Sequence, residues 1–492
     1  MLLRAAAFPH AAPSLKMLET HISWVVLTGK YAYKIKKTIQ LPFVDYSTLE
    51  LRKHFCELEL ELNRELAPDI YLDVVKITGS ASNPVINGTG EVLEYAVRMN
   101  EFEQSDILAN RLENGLVTAL EIDRLAELIA DFHSRIPRAP QDSRFGTPEL
   151  VRQEAEENFS AFRTAKVEEK QVGPDWYSSI LQQQRNQLDQ LSDWTLAEFS
   201  CCEKLLIRRH AKGMIRRCHG DMHAGNIVQF NRRIEIFDRI EFNQDFQWVD
   251  CMNELAFPVM DLIHHGRTEL ANRLLSNYLE RTGDYDGLGV FRLYLVYRSM
   301  VRAKIDWIRH QQTQRDSASD VFNSPFLDLA FTLSQRPKRF LYITHGLSGS
   351  GKSTAAMNCV ETTGAIRIRS DVERKRVVAE NSTANKYSPE MRNKVYDAML
   401  ETAADVLASG FSAVIDATFL SQTERNKFRD LATRTDVPFG IIDCSAPIAE
   451  LERRIRERQG DASEATVAVL HDQILAHETL TPEERELICN PG

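Results

Sequence analysis

The chain has 492 residues, of which 43% are apolar and 26% charged, and carries a formal net charge of −10 at pH 7. The length is too great for one hydrophobic core, the composition excludes a disordered chain, and the acidic balance argues against tight nonspecific binding to nucleic acid, which needs clustered Lys and Arg. The longest apolar stretch, Leu255 to Ile263, is interrupted by Pro258 and Asp261, well short of the roughly 20 residues of a membrane span.

The N-terminus lacks the apolar core of a secretory signal. Eight cysteines are scattered without a CxxC pair, so they read as reduced thiols. A cytoplasmic protein without membrane attachment is expected.

In chain order, residues 22–36 alternate apolar and polar around Thr28-Gly29-Lys30, which predicts a hairpin of Trp24–Leu27 with Tyr31–Lys36. Ser47-Thr48-Leu49-Glu50 reads as a capping box opening a helix. Leu51, Phe55, Leu58 and Leu62 line one face of it until Pro68 stops it. Leu93 to Met99 alternates again as a strand, and these pieces form a first lobe. Helical patterns dominate from Ala119 to about Glu198, short strands and loops occupy 217–242, and helices resume after Asp250 to about Gln335. Pro337 and Lys338-Arg339 mark the expected boundary, giving domains 1–335 and 336–492. Beyond it, apolar strands at 340–344, 365–369, 411–415 and 439–442 alternate with helices, the pattern of a parallel sheet wrapped by helices.

Cys218-His219-Gly220-Asp221-Met222-His223-Ala224-Gly225-Asn226 contains HGDxHxxN, and Asp238 follows twelve residues after Asn226 at the end of strand Ile234–Phe237. Phosphoryl transfer to a hydroxyl needs a carboxylate to receive the proton and oxygen ligands to hold magnesium against the ATP phosphates. Asp221 suits the base, and Asn226 and Asp238 suit the metal. His219 suits a hydrogen-bonding brace of the loop.

These residues resemble the aminoglycoside phosphotransferase family, whose fold is similar to that of protein kinases. The resemblance implies a strand lysine that holds the nucleotide phosphates and pairs with a helical glutamate. Ala32-Tyr33-Lys34 matches the kinase A-x-K pattern and designates Lys34, with Lys36 on the same strand face as a rival. Glu57 and Glu59 flank the apolar stripe of the helix, and Glu57 is preferred. The family's DLA tripeptide is replaced by Glu254-Leu255-Ala256, which leaves the role of Glu254 open. Thr20–Ser23, Ala32–Lys37 and Phe237–Asn243 look like a bacterial branch of that family often fused to a P-loop kinase.

Strand Leu341–Thr344 runs into Gly346-Leu347-Ser348-Gly349-Ser350-Gly351-Lys352-Ser353, a complete Walker A motif followed by Thr354. Backbone amides of Gly346, Ser348, Gly349, Ser350, Gly351 and the helix start to Thr354 wrap phosphates, Lys352 neutralises them, and the Ser353 hydroxyl completes a magnesium shell. Arg369-Ser370-Asp371 ends the next strand, so Asp371 is the expected acceptor base, with helix N-cap as the alternative. Asp416 ends a third strand where a carboxylate orders magnesium. Arg454 and Arg458, on an arginine-rich stretch near Gly460, are candidates to stabilise the transferring phosphoryl group, against a solvated helix paired with Glu452 and Glu457. This half resembles the small P-loop kinases that include polynucleotide 5′-kinases, zeta toxins, chloramphenicol phosphotransferase and gluconate kinase.

The expectation is therefore an α+β protein-kinase-like bilobal domain followed by an α/β P-loop NTPase domain with a parallel sheet. Each domain would use ATP and Mg2+ to phosphorylate a hydroxyl of a small molecule. Two other readings stand beside it: a C-terminal nucleic-acid 5′-kinase or zeta-like toxin, disfavoured by the absence of a basic and aromatic track, and an ATP-dependent switch with a protein partner.

Overall fold

The computed structural model describes residues 4–41, 44–163, 175–313, 323–380, 389–457 and 466–491. They divide into two compact units, each assembled from separate stretches of chain: 1–121, 132–151 and 207–261 in the first, 122–131, 152–206 and 262–492 in the second.

The first unit is built on a six-stranded antiparallel sheet. Its strands are β1 (Lys16–Glu19), β2 (Ser23–Leu27), β3 (Tyr31–Lys36), β4 (Tyr71–Ser80), β5 (Asn83–Ile86) and β6 (Val92–Asn100), in the order β1-β2-β3-β6-β4-β5. The β2–β3 hairpin has Leu27 opposite Ala32 and Ser23 opposite Lys36. Period-two alternation decides what each face of β3 meets. Tyr33 and Ile35 join a core with Val26, Val75, Ile77 and Ala96. Ala32 joins Cys56, Tyr71 and Val97 on the other face, the face that Lys34 and Lys36 share.

Helix α1 (Leu49–Asn63) lies on that second face. Its cap is Thr48, whose hydroxyl accepts from the Leu51 amide at 3.2 Å, one residue later than the capping box read from the sequence. The buried residues are Arg52, Cys56, Glu59, Leu62 and Asn63, while Leu51, Phe55 and Leu58 are half-buried. The inward face is thus rotated from the apolar stripe toward polar residues.

The remainder of the first unit includes the end of helix α2 (Ala119–Arg135), the paired strands β7 (Ile215–Arg217) and β10 (Trp248–Asp250), the hairpin β8 (Ile227–Phe230) with β9 (Arg233–Ile236), and most of helix α3 (Cys251–His264).

The second unit contains helices α4 (Thr268–Thr282) and α5 (Leu288–Thr313), and a four-stranded parallel sheet. Its strands are β11 (Leu341–His345), β12 (Ile366–Arg369), β13 (Ala413–Asp416) and β14 (Phe439–Asp443), ordered β12-β13-β11-β14. Between and after them run α6 (Lys352–Thr363), α7 (Ser370–Glu380), α8 (Pro389–Ala408), α9 (Gln422–Arg434), α10 (Ile448–Glu457) and α11 (Val467–Ala476). Strands β11, β12 and β13 are buried on both faces, which is why they read as apolar runs rather than as alternation. No helix of the described residues is long and apolar enough to cross a membrane.

Candidate active sites

In the first unit, the loop between β7 and β8 carries Asp221 and Asn226, and the loop after β9 carries Asp238. Asp221 and Asp238 expose 37% and 45% of their side chains, while the groups framing them are buried. These two carboxylates reach solvent, and their supports do not.

The frame can be followed bond by bond. Lys34 Nζ contacts Asp238 and lies 2.7 Å from Glu59 Oε1. Lys36 Nζ lies 2.7 Å from Glu59 Oε2 and also contacts Glu241, to which the Tyr46 hydroxyl donates at 2.6 Å. Burial works against each lysine's charge, but the facing carboxylates outweigh it and hold both pKa values well above the ordinary value. Burial likewise opposes the Glu59 charge, yet the two lysines bring that carboxyl down to about 2.

Glu59, not Glu57, is therefore the helical partner of the strand lysine. Glu57 faces solvent, 3.7 Å from Lys53 one helical turn earlier. The physical reason is the rotated buried face of α1. Lys36 is enclosed among Glu59, Glu241 and Tyr46, whereas Lys34 reaches Asp238 at the edge of the site. Lys34 is the one of the two that contacts a half-exposed carboxylate.

The HGD loop is held by buried groups. His219 Nε2 donates to the Phe237 carbonyl at 2.9 Å, and its Nδ1 accepts from the Asp221 amide at 3.3 Å. Burial lowers the His219 pKa, so the ring is a neutral brace. Glu254 on α3 accepts from the amides of His219 and Gly220, both at 2.7 Å. Asp261 accepts from the Ala224 amide at 2.7 Å. Gly220 sits at φ +89°, and a Cβ there would come within 2.5 Å of the Phe246 carbonyl oxygen, so the motif needs glycine at this point.

Asn226 Nδ2 donates to the Asp221 carbonyl at 2.9 Å and approaches its Oδ2 at 3.3 Å, with His223 Nε2 3.5 Å from the same oxygen. Asp238 adopts φ +64° and its amide donates to the Tyr71 hydroxyl at 3.1 Å. The side-chain oxygens of Asn226 and Asp238 are hard donors of the kind magnesium takes.

Three residues that the sequence reading left without a role thus prove to be fasteners. Glu254 ties the loop, and Glu241 closes the ion network. Arg239 donates to the Cys218 carbonyl at 3.1 Å and pairs with Glu65 at 2.7 Å. A charged residue inside an apolar stretch was the available signal, since a buried charge requires a partner.

In the second unit, the Walker A loop joins β11 to α6. Gly346 has φ +134°, and a Cβ there would lie 2.1 Å from the Cys444 carbonyl oxygen. Lys352 Nζ donates to the Leu347 carbonyl at 2.8 Å, and the Ser348 amide donates to Gln473 Oε1 at 2.9 Å. A cleft of about 1200 Å³ brings Ser348–Thr354 together with Arg369, Asp371, Asp416 and Arg454, while Gly346 lies where β11 enters the loop.

Asp416 is 5% exposed, its Oδ2 has no hydrogen-bond partner among the described residues, and the Arg369 Nε stands 3.6 Å away. A buried carboxylate oxygen that takes no hydrogen bond, in the cleft that Lys352 and Ser353 also line, fits an ordered magnesium shell. Asp371 lies within the first turn of α7, one residue past its start, and pairs with Arg374 at 3.0 Å, so it does not occupy the N-cap. Arg454 bonds Glu450 at 2.7 Å and the Gly349 carbonyl at 3.2 Å. Arg458 lies outside the described residues.

Comparison with known proteins places the whole chain. It is 30% identical over 465 residues to uncharacterized protein Rv2004c of Mycobacterium tuberculosis and, to the same degree, to uncharacterized protein Mb2027c of Mycobacterium bovis, covering 93% of this chain and 89% of each relative. The chain belongs to the family of these mycobacterial proteins. Within this family member, residues 341–480 match the model described as an AAA domain, the stretch that holds the Walker A loop and its parallel sheet. Solved structures with similarity include a choline/ethanolamine kinase family protein from Mesorhizobium loti, at 11% identity and TM-score 0.37 over 67% of this chain and 90% of that one. Another is a gluconokinase from Sinorhizobium meliloti, at 20% identity and TM-score 0.24 over 31% and 81%. Among the described residues, this family member contains one unit built on a six-stranded antiparallel sheet and one whose Walker A loop follows a strand of a four-stranded parallel sheet.

Proposed function

We propose that the chain is a bifunctional ATP-dependent phosphotransferase, with one hydroxyl acceptor at each site. The carrying observation is that each site assembles, from distant parts of the sequence, both a phosphate-binding lysine and exposed or cleft-lining carboxylates. In the first, Lys34, Asp221, Asn226 and Asp238 converge on a buried frame. In the second, Lys352, Asp371 and Asp416 line one cleft.

In each reaction the acceptor oxygen bonds to the γ-phosphorus as the bond to the ADP oxygen breaks, and the hydroxyl proton passes to Asp221 or to Asp371. Asn226 and Asp238 in one site, and Ser353 and Asp416 in the other, would hold magnesium, which would supply neutralisation of the phosphate charge. The lysines orient the nucleotide, and Arg454 donates to charge developing on the transferred group. The cleft of about 1200 Å³ slightly exceeds a usual ligand pocket of about 300–1,000 Å³, room for a nucleotide with a small acceptor. We place the protein in the cytoplasm, where ATP is supplied.

The test is transfer from γ-labelled ATP into fractionated metabolite and oligonucleotide pools, with wild type, Asp221→Ala and Lys352→Ala. Labelled products that vanish with one variant and persist with the other support two kinases. Label in oligonucleotides lost only with Lys352→Ala would make the second site a nucleic-acid kinase. Release of free phosphate alone would sink the transferase reading in favour of an ATP-driven switch.

A further inference from the structure

We propose that His133, Cys218 and Cys251 form a buried site for one thiophilic metal ion, zinc(II), behind the catalytic loop of the first unit. The three residues come from separate elements: the last turn of α2, the residue after β7 and the first residue of α3. Their ligand atoms all lie within 4.8 Å of one another. Cys218 is 0%, Cys251 1% and His133 3% exposed.

The donor chemistry selects the ion. Two thiolates and an imidazole form a soft set suited to zinc and unsuited to magnesium or calcium. Zinc bonds of about 2.3 Å to sulfur and about 2.0–2.1 Å to nitrogen place tetrahedral ligand atoms about 3.3–3.8 Å apart, so from separations within 4.8 Å the cluster needs to contract by at most about 1.5 Å. Two thiolates cancel the charge of a divalent ion, which lets it remain in a dry interior where an unbalanced charge would be costly.

His133 Nε2 stands 3.5 Å from Glu254 Oε2, so a carboxylate adjoins the imidazole, as one commonly does beside a ligating histidine.

The ion would act structurally. Cys218 immediately precedes His219-Gly220-Asp221, and Cys251 begins the helix whose Glu254 receives the His219 and Gly220 amides. Closing the three ligands on one ion fixes both flanks of the loop that presents Asp221. Loading releases the two thiol protons, and no oxidant or reductant takes part.

The experiment is elemental analysis of the full chain purified without chelators or a metal-affinity step, before and after incubation with zinc and gel filtration. One equivalent of zinc per chain is expected, lost from Cys218→Ala and Cys251→Ala and retained by Cys201→Ser. Should those alanine variants fail to fold, the wild type decides alone. Cobalt(II) exchanged into it should give sulfur-to-cobalt charge-transfer absorption, and a mercurial should release the metal. A wild-type chain that binds no zinc or cobalt, or a Cys218–Cys251 disulfide found in nonreducing peptide maps, overturns the proposal. So does zinc that persists in a folded Cys218→Ala/Cys251→Ala chain.

Discussion

Lys34 and Lys36 differ by one strand repeat, share Glu59, and should nevertheless fail in different ways when removed. Lys36 is enclosed by Glu59, Glu241 and Tyr46. Lys36→Ala leaves Glu241 without its buried cation and should lower stability by about 3–5 kcal/mol, read by urea unfolding. Lys34→Ala leaves Glu59 still paired with Lys36. Its loss should appear chiefly as a fall of about 10²–10³-fold in transfer at the first site, with fold retained. Equal destabilisation by the two changes would contradict this division. A further carboxylate makes a pH prediction. Burial first, and Asp69 second, push Glu235 on β9 up to about 7. The folded chain keeps that proton while the unfolded chain releases it near pH 4.5. This contribution is therefore whole below pH 4.5 and is lost as pH rises through 7. Glu235→Gln should raise stability at pH 8 by about 1–2 kcal/mol, allowing for solvent screening, and have little effect at pH 4. Unfolding curves at the two pH values check it.

At the scale of elements, the informative case is the edge of the parallel sheet. Strand β12 would present an unpaired edge, but α4 covers it. Ser276 Oγ accepts from the Arg367 amide at 3.1 Å, and Glu280 takes Arg367 at 2.7 Å and Arg369 at 3.2 Å. Arg369 in turn stands beside Asp416. Helix α4 thus supports the phosphate-binding cleft from outside the stretch that carries the Walker A motif. Glu280→Ala should cost about 2–4 kcal/mol in the second unit and reduce transfer dependent on Lys352. An unchanged midpoint in urea would show that these pairs are solvated in solution. The same residues explain what could be read without the fold. The HGD loop, Walker A and the strands were legible because their signals lie within a few consecutive residues and follow turn chemistry, strand alternation or short apolar runs. Glu280 lies 87 residues from Arg367 on a helix with ordinary amphipathic spacing, so nothing local marks its partner. Glu57 and Glu59 both flank the apolar stripe of α1, so spacing along the helix does not rank Glu59 over Glu57. Burial there is instead fixed by charges on β3 and beyond β9, which no window along the helix contains.

For the molecule as a whole, the decisive question is whether two sites so differently built both bind nucleotide. One rests on a strand lysine held by a buried ion network, the other on a glycine loop wrapped before a helix. A ligand that binds only the folded state stabilises it by RT ln(1 + [L]/Kd), about 2.7 kcal/mol at a hundredfold excess over Kd. Each site should therefore transmit its own shift to thermal unfolding when a nonhydrolysable ATP analogue is added with Mg2+. Lys352→Ala should remove the part contributed by the second unit and leave the rest. Lys34→Ala should do the converse, and the double variant should show no shift. Scanning calorimetry with the four proteins makes the comparison without knowledge of either acceptor. If Lys352→Ala alone abolished the entire shift, the first unit would bind no nucleotide under these conditions, and its ion network would have to be explained by stability instead.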